Sequence, residues 1–208
     1  MTNKQDDSKT ATGAVEGRES QNEERRRVIL RALHNCIRAK GFTKSSLTDI
    51  ALEAGMSPSH IRYYFNGKNA ILESYLEQTC EQILEQIRSI DRSDPLRWFE
   101  DFTQFFIGNP WITPARLSVM VEIFGISVHD AELRRIKARY DQEIRDTLQR
   151  FFEEIGCTRS LGPADAAEVT QAIEAGLKYN TVFKEEFDPV HARQVFVSAV
   201  RELTGAPV

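Results

Sequence analysis

The stretch Ser46-Leu47-Thr48-Asp49-Ile50-Ala51-Leu52-Glu53-Ala54-Gly55-Met56-Ser57-Pro58-Ser59-His60-Ile61-Arg62-Tyr63-Tyr64-Phe65 decides how the rest of the chain is read. Ser46 is placed to cap a helix, and Asp49 three residues on makes a variant capping box, because a side-chain oxygen satisfies a backbone N–H left unpaired at a helix start. Leu47, Ile50, Ala51 and Ala54 recur at helical spacing and form the apolar face. Gly55 supplies a left-handed turn, and Met56 plugs the angle between two helices. Ser57 caps the second helix, Pro58 takes its first position, and Ile61 and Phe65 hold it to a core. Two helices, a glycine-containing turn and fixed hydrophobic anchors predict a helix-turn-helix. A plain helical hairpin with a solvated charged face would explain a run of charges, but not the cap, turn and anchor spacing together.

The second helix matters most for function. Its packing needs Ile61 and Phe65, with or without one tyrosine, which leaves Ser59, His60, Arg62, Tyr63 and Tyr64 projecting donors and flat polar rings. Such groups suit base edges and phosphates in a DNA major groove. With Ser46, Thr48 and Ser57 at the helix starts, they make up the expected DNA-binding set. Lys68 is expected to join it, its ammonium and the N–H groups of the next helix holding a phosphate together. Arg25, Arg26 and Arg27 are further candidates for the DNA backbone.

Charge supports a localised contact. The 208 residues carry a net −4, but residues 23–68 hold nine Lys/Arg against four Asp/Glu, giving +5. Residues 1–22 carry −1 and residues 69–208 carry −8. A basic block on an acidic body points to one polyanion-binding surface rather than a basic protein. Cys36, Cys80 and Cys157 are far apart and odd in number, so neither a disulfide framework nor a zinc site is expected. The polar N-terminus lacks the apolar core of a signal peptide, and no apolar run approaches the ~20 residues of a membrane span. A soluble, cytoplasmic, nucleoid-associated protein follows as the expectation.

Outward from the block, residues 1–22 are polar with almost nothing to bury and read as a disordered arm. Val28, Ile29, Ala32, Leu33, Cys36 and Ile37 then mark a helix that Gly41 stops. A long helix is expected over about 69–89, followed by an aromatic one opened by Asp94-Pro95. Residues 113–127 are apolar most of the way round, as in a centrally buried helix. Asp130 caps a helix to about Ile155, and two more are expected over about 163–184 and 188–204. No strand-like alternation and no repeat occur. The fold class is all-α, about nine helices, with a helix-turn-helix domain over 23–68 and a helical body over 69–208.

Residues 25–72 resemble the DNA-binding domain of the tetracycline-repressor-like (TetR) family. The pattern is Leu47-Thr48-x-Ile50-Ala51-x-x-Ala54-Gly55-Met56-Ser57, then Ile61, then Tyr64-Phe65-x-x-Lys68-x-x-Ile71-Leu72. Many relatives carry Tyr where this chain has Arg62, at a position that usually faces DNA. The body is similar to the betaine-repressor subgroup through Val128-His129-Asp130-Ala131-Glu132-Leu133-Arg134-Arg135, Gly176-Leu177 and Phe187-Asp188-Pro189-x-x-Ala192. The resemblance implies a repressor that leaves a palindromic double-stranded operator when a small-molecule effector binds. It also implies a homodimer through the helices at about 163–184 and 188–204, where Ala166, Ala167, Ala172, Ala175 and Gly176 permit close approach. Ordinary packing within one chain would use the same residues.

Trp98, Phe102, Phe105, Phe106, Trp111, Met120 and Phe124 crowd into a short region. Spacing alone fits a filled core as well as a cavity, whereas the resemblance implies an effector pocket among the middle helices. The expected ligand-binding set is Trp98, Phe102, Phe106, Trp111, Met120, Glu122, Phe124 and His129. Ser118, Glu122 and Gly125 fall on one stripe reaching His129, readable either as a solvent-facing edge or as the polar end of a pocket. No nucleophile–base motif, phosphate loop or metal-ligand spacing is present, so no catalytic residue, metal or cofactor is expected. His34, His60, His129 and His191 are scattered singly. A helical enzyme using the aromatic region and an effector-free DNA-binding protein are the competing functions.

Overall fold

The computed structural model describes residues 7–108, 113–157, 160–184 and 186–204, with side chains from Ser20 onward. Among the described residues the chain forms nine α-helices and no strand: α1 (Asp7–Lys40), α2 (Leu47–Glu53), α3 (Pro58–Tyr64), α4 (Lys68–Arg88), α5 (Pro95–Phe106), α6 (Pro114–Ser127), α7 (Ala131–Ile155), α8 (Pro163–Phe183) and α9 (Pro189–Thr204). They divide into two compact units, Met1–Tyr75 and Leu76–Val208. The division falls inside α4 rather than at residue 68, because Ile71 and Leu72 are buried within the first unit.

In the first unit, α1 supplies Ile29, Leu33 and Ile37, α2 supplies Ile50 and Ala51, and α3 supplies Ile61, all buried. Ser46 and Asp49 form the reciprocal capping box, and Ser57 caps α3 with Pro58 at its first position. α2 ends in a Schellman motif. The Met56 N–H donates to the Ala51 carbonyl at 2.9 Å and the Gly55 N–H to that of Leu52 at 3.1 Å. Gly55 has φ +65°, and a Cβ built there would meet nothing within 4 Å. The left-handed backbone, not crowding, calls for glycine. His34 Nδ1 lies 2.8 Å from the Tyr75 hydroxyl and joins α1 to the last residue of the unit.

α1 begins at Asp7, well before the helix start expected near Glu23.

In the second unit α7 packs against α5, α6 and α8, α8 also meets α6 and α9, and α5 meets α9. Asp130 caps α7, whose Leu133, Ile136, Tyr140, Ile144, Leu148, Phe151 and Phe152 are buried. Ala166 and Ala167 are buried and let α8 lie close to α7. Ion pairs join the later part of α4 to α7: Arg88 with Glu143, and Arg139 with Glu77 at 3.0 Å. α6 departs from the expectation of central burial. Only Val119, Ile123 and Ser127 are buried, a single i, i+4, i+8 line, because α7 and α8 cover one side.

Candidate nucleic-acid interface and sensor core

α3 turns an apolar edge inward and a polar face outward. Ile61 and Phe65 are buried, Tyr64 is half-buried, and Ser59, His60, Arg62 and Tyr63 are exposed, Tyr63 to 75%. The rings brace one another, with Tyr64 edge-on to Tyr63 at 5.0 Å and 5.4 Å from His60 between centroids. The Ser57 hydroxyl accepts the His60 N–H at 3.2 Å and lies 2.9 Å from the Ser59 hydroxyl.

At the start of α2, the Asp49 carboxylate accepts from the Ser46 N–H at 2.7 Å and from its hydroxyl at 2.6 Å. Lys40 Nζ is 2.8 Å from the same carboxylate, and its hydrogen bond holds Asp49 below the ordinary carboxylate range, with Ser46 adding to the effect. The Ser46 hydroxyl is thus engaged in capping, while Thr48 is exposed beside it.

Two cations of the basic block are held by carbonyls and rings of their own unit. Lys68 Nζ donates to the Phe42 carbonyl at 2.9 Å and the Ser45 carbonyl at 2.8 Å, and lies 4.0 Å from the centre of the Phe42 ring. Burial lowers its pKa. In the DNA-free chain the ammonium, expected at a phosphate, supplies two of its three donors to loop carbonyls that no helix pairs. Arg26 Nη1 likewise donates to the Tyr64 carbonyl at 2.9 Å, with the guanidinium 4.2 Å from the Phe65 ring centre. A cation at the last carbonyl of α3 offsets the negative end of the helix. Arg27 pairs with Glu23 and Glu24 at 3.7 and 3.6 Å. Arg25, Lys44 and Arg62 are exposed with no partner among the described residues. Lys44, two residues before the α2 cap, adds an exposed cation that the sequence reading does not single out.

In the second unit, Trp98, Phe102 and Phe106 follow one line along α5 and are buried. Trp98 lies 5.1 Å from Phe102 and 5.5 Å from Phe151, Phe102 lies 4.8 Å from Phe106, and Phe99 stacks on Phe151 at 4.8 Å and Phe196 at 5.7 Å. The Trp98 indole N–H is buried and finds no acceptor among the described residues. Met120, Glu122 and Phe124 are half-buried on α6. His129 is exposed in the turn after α6, which removes it as the polar end of a buried site. Trp111 lies outside the described residues.

The buried carboxylate of this unit is instead Glu174 on α8, 3% exposed. Lys178 Nζ lies 2.6 Å from its Oε1 without hydrogen-bond alignment, and 4.7 Å from the Phe106 ring centre. Lys137 repeats the arrangement on α7, pairing with Asp141 and lying 4.6 Å from the Phe124 ring centre. Each ammonium therefore sits against a carboxylate and an aromatic ring. Burial raises the Glu174 pKa against the opposing pull of Lys178, and burial followed by the Glu174 charge raises that of Tyr140. Ala166, Thr170 and Glu174 share one buried i, i+4, i+8 line, and an acid on such a line is the sequence signal that was passed over.

Residues 29–75 match the model for bacterial regulatory proteins of the tetR family, and residues 98–205 match that for the BetI-type transcriptional repressor, C-terminal. The HTH-type transcriptional regulator BetI of Stenotrophomonas maltophilia is 23% identical over 134 residues, which cover 63% of this chain and 68% of the relative. Among solved structures, a TetR transcription regulator from Haloarcula marismortui superposes with a TM-score of 0.79 at 17% identity, covering 87% of this chain and 98% of that one. A transcriptional regulator from Saccharomonospora viridis, solved in complex with choline, superposes with a TM-score of 0.71 at 22% identity, covering 86% and 96%. The chain belongs to the tetR family of bacterial regulatory proteins, and its C-terminal part is that of the BetI-type transcriptional repressors.

Proposed function

We propose that this regulator is a cytoplasmic homodimer that represses transcription by occupying a palindromic operator and leaves it when a small molecule binds the helical body. The observation that carries the DNA-binding half is the α3 face, where Ser59, His60, Arg62 and Tyr63 are exposed while Arg26 caps the helix end at Tyr64. These side chains enter the major groove. Thr48, Lys44 and Arg25 meet the phosphates in the role first expected of Lys68. Two copies of α3 must lie ~34–36 Å apart to occupy successive grooves, so an effector that alters that spacing releases the DNA.

Dimerisation through α8 and α9 is supported by a continuous exposed line, Val169, Ala172, Gly176, Tyr179 and Phe183, with Val190 and Val195 on α9. Phe183 is 71% exposed, an apolar area that a partner helix would cover. Ala166, Ala167, Phe196 and Val200 are already buried within one chain and take no part.

The effector reading rests on the aromatic layer of α5, the unpaired Trp98 N–H and the carboxylate of Glu174. An ammonium bearing a hydroxyl or carboxylate suits that combination, and the choline complex of the Saccharomonospora viridis regulator provides the first compound to try. Operator DNA selected from a random pool is bound by the full chain and titrated with choline. Release by choline, weakened in Glu174→Gln with unchanged DNA affinity, is the expected result. Absence of DNA binding by the wild-type chain would refute the reading. DNA binding that choline leaves unaltered would refute the cationic effector alone.

A further inference from the structure

We infer that Arg62 reads a guanine in each half-site of the operator, an inference that rests on the proposed DNA-binding role of α3. Three observations single it out. First, Arg62 is the one Lys or Arg of α3, and it is exposed with no partner among the described residues. No carboxylate lies on α3 itself, whose sequence is Pro-Ser-His-Ile-Arg-Tyr-Tyr, so the guanidinium fork stays open. Secondly, the other polar groups of that face are tied to one another. The Ser59 hydroxyl is against that of Ser57, and the His60, Tyr63 and Tyr64 rings form one braced group. They set the shape of the surface and leave one unpartnered, strongly donating group to discriminate bases.

Thirdly, length decides between base and phosphate. The seven residues of α3 span ~10 Å at ~1.5 Å rise per residue, less than the ~12 Å width of a major groove. Arg62 stands on the exposed face of that helix, in its last turn, whereas Lys44 precedes the α2 cap and Thr48 is the second residue of α2, so a groove that takes α3 brings Arg62 to base edges and leaves the other two for phosphates. A guanidinium presents two parallel N–H donors, and in the major groove only guanine offers two adjacent acceptors, N7 and O6, to match them.

The test compares duplexes selected from a random pool by the wild-type full chain with those selected by Arg62→Ala and Arg62→Lys. Wild type is expected to fix guanine at one position in each half-site, and replacing that G·C pair should lower its affinity ~5- to 150-fold. In Arg62→Ala the same replacement should change affinity less than about twofold, with every other position of the site keeping its preference. Arg62→Lys, a point donor without the fork, should retain general affinity and lose part of the preference. Because Arg62 is exposed and unpaired, melting curves of both variants should overlie wild type. An Arg62→Ala variant that keeps the guanine preference, or that weakens on all sequences equally as a phosphate contact would, overturns the inference while leaving DNA binding intact. A wild-type chain that enriches no sequence overturns the inference and the DNA-binding role together.

Discussion

Lys68→Met removes an ammonium while keeping a similar apolar stem against Phe42, so it isolates the charged group. The loss is two hydrogen bonds from a cation, to the Phe42 and Ser45 carbonyls, and one ring contact at 4.0 Å. Lys68 is half-buried, so each hydrogen bond is taken below the ~1.5–3 kcal/mol usual for charged groups, at about 1–1.5 kcal/mol, and the ring at about 0.5 kcal/mol. The sum is about 3 kcal/mol, and water reaching the bared carbonyls trims it to about 2–3 kcal/mol. For a chain of 208 residues, each kcal/mol shifts the melting temperature by ~2–4 °C, so a fall of about 5–10 °C is expected. Circular dichroism melts give that number, and gel shifts over a salt series give a second one. A lysine on phosphate would leave the melt unchanged and make the salt dependence shallower by about one unit of slope. An unaltered melting temperature together with that shallower slope would refute the inward clamp.

Gly176→Leu tests the dimer face, because a Cβ at Gly176 meets nothing within 4 Å in its own chain. Light scattering at micromolar concentration should show monomer or aggregate in place of dimer, and an intact dimer would exclude this stripe from the interface. Phe102→Ala empties a fully buried site and should cost ~3–5 kcal/mol, read as a lower denaturation midpoint; a loss under ~1 kcal/mol would show that the aromatic layer is loose. Burial pushes the Cys80 thiol up to about 12, so at pH 8 it stays protonated and unreactive. A thiol reagent should label the half-buried Cys157 first and Cys80 only after denaturant is added. Equal rates at both would contradict the burial.

Helix identity and ends were legible where a single residue fixes them. Ser46 with Asp49, Ser57 with Pro58, Asp94 and Asp130 each satisfy N–H groups that only a helix start leaves open, and all four starts lie where the residues place them. The inward direction of Lys68 was not legible, because it depends on carbonyls 26 and 23 residues away. Arg26 was hidden for the same reason, its partner being 38 residues distant. The apolar composition of α6 suggested burial all round, yet composition says nothing of how many neighbours a helix has. Glu122 drew attention as an acid in an apolar helix, whereas Glu174 has a lysine one turn on and so reads as a surface pair. Only the packing of α8 against α7 puts Glu174 inside.

The hydrogen bond between His34 and Tyr75 has a practical consequence for modular engineering. A hybrid regulator that borrows this DNA reader and joins it to a foreign sensor needs a splice point. A junction directly after Lys68 would discard Ile71 and Leu72, both buried, and with Tyr75 the partner that His34 holds at 2.8 Å. The graft would then lose two buried apolar side chains of the reader and deprive His34 on α1, the helix that also carries the Arg26 cap of α3, of Tyr75. A junction after Tyr75, on the remaining turns of α4, passes the whole reader across intact and leaves the donor's own helix to be continued in register.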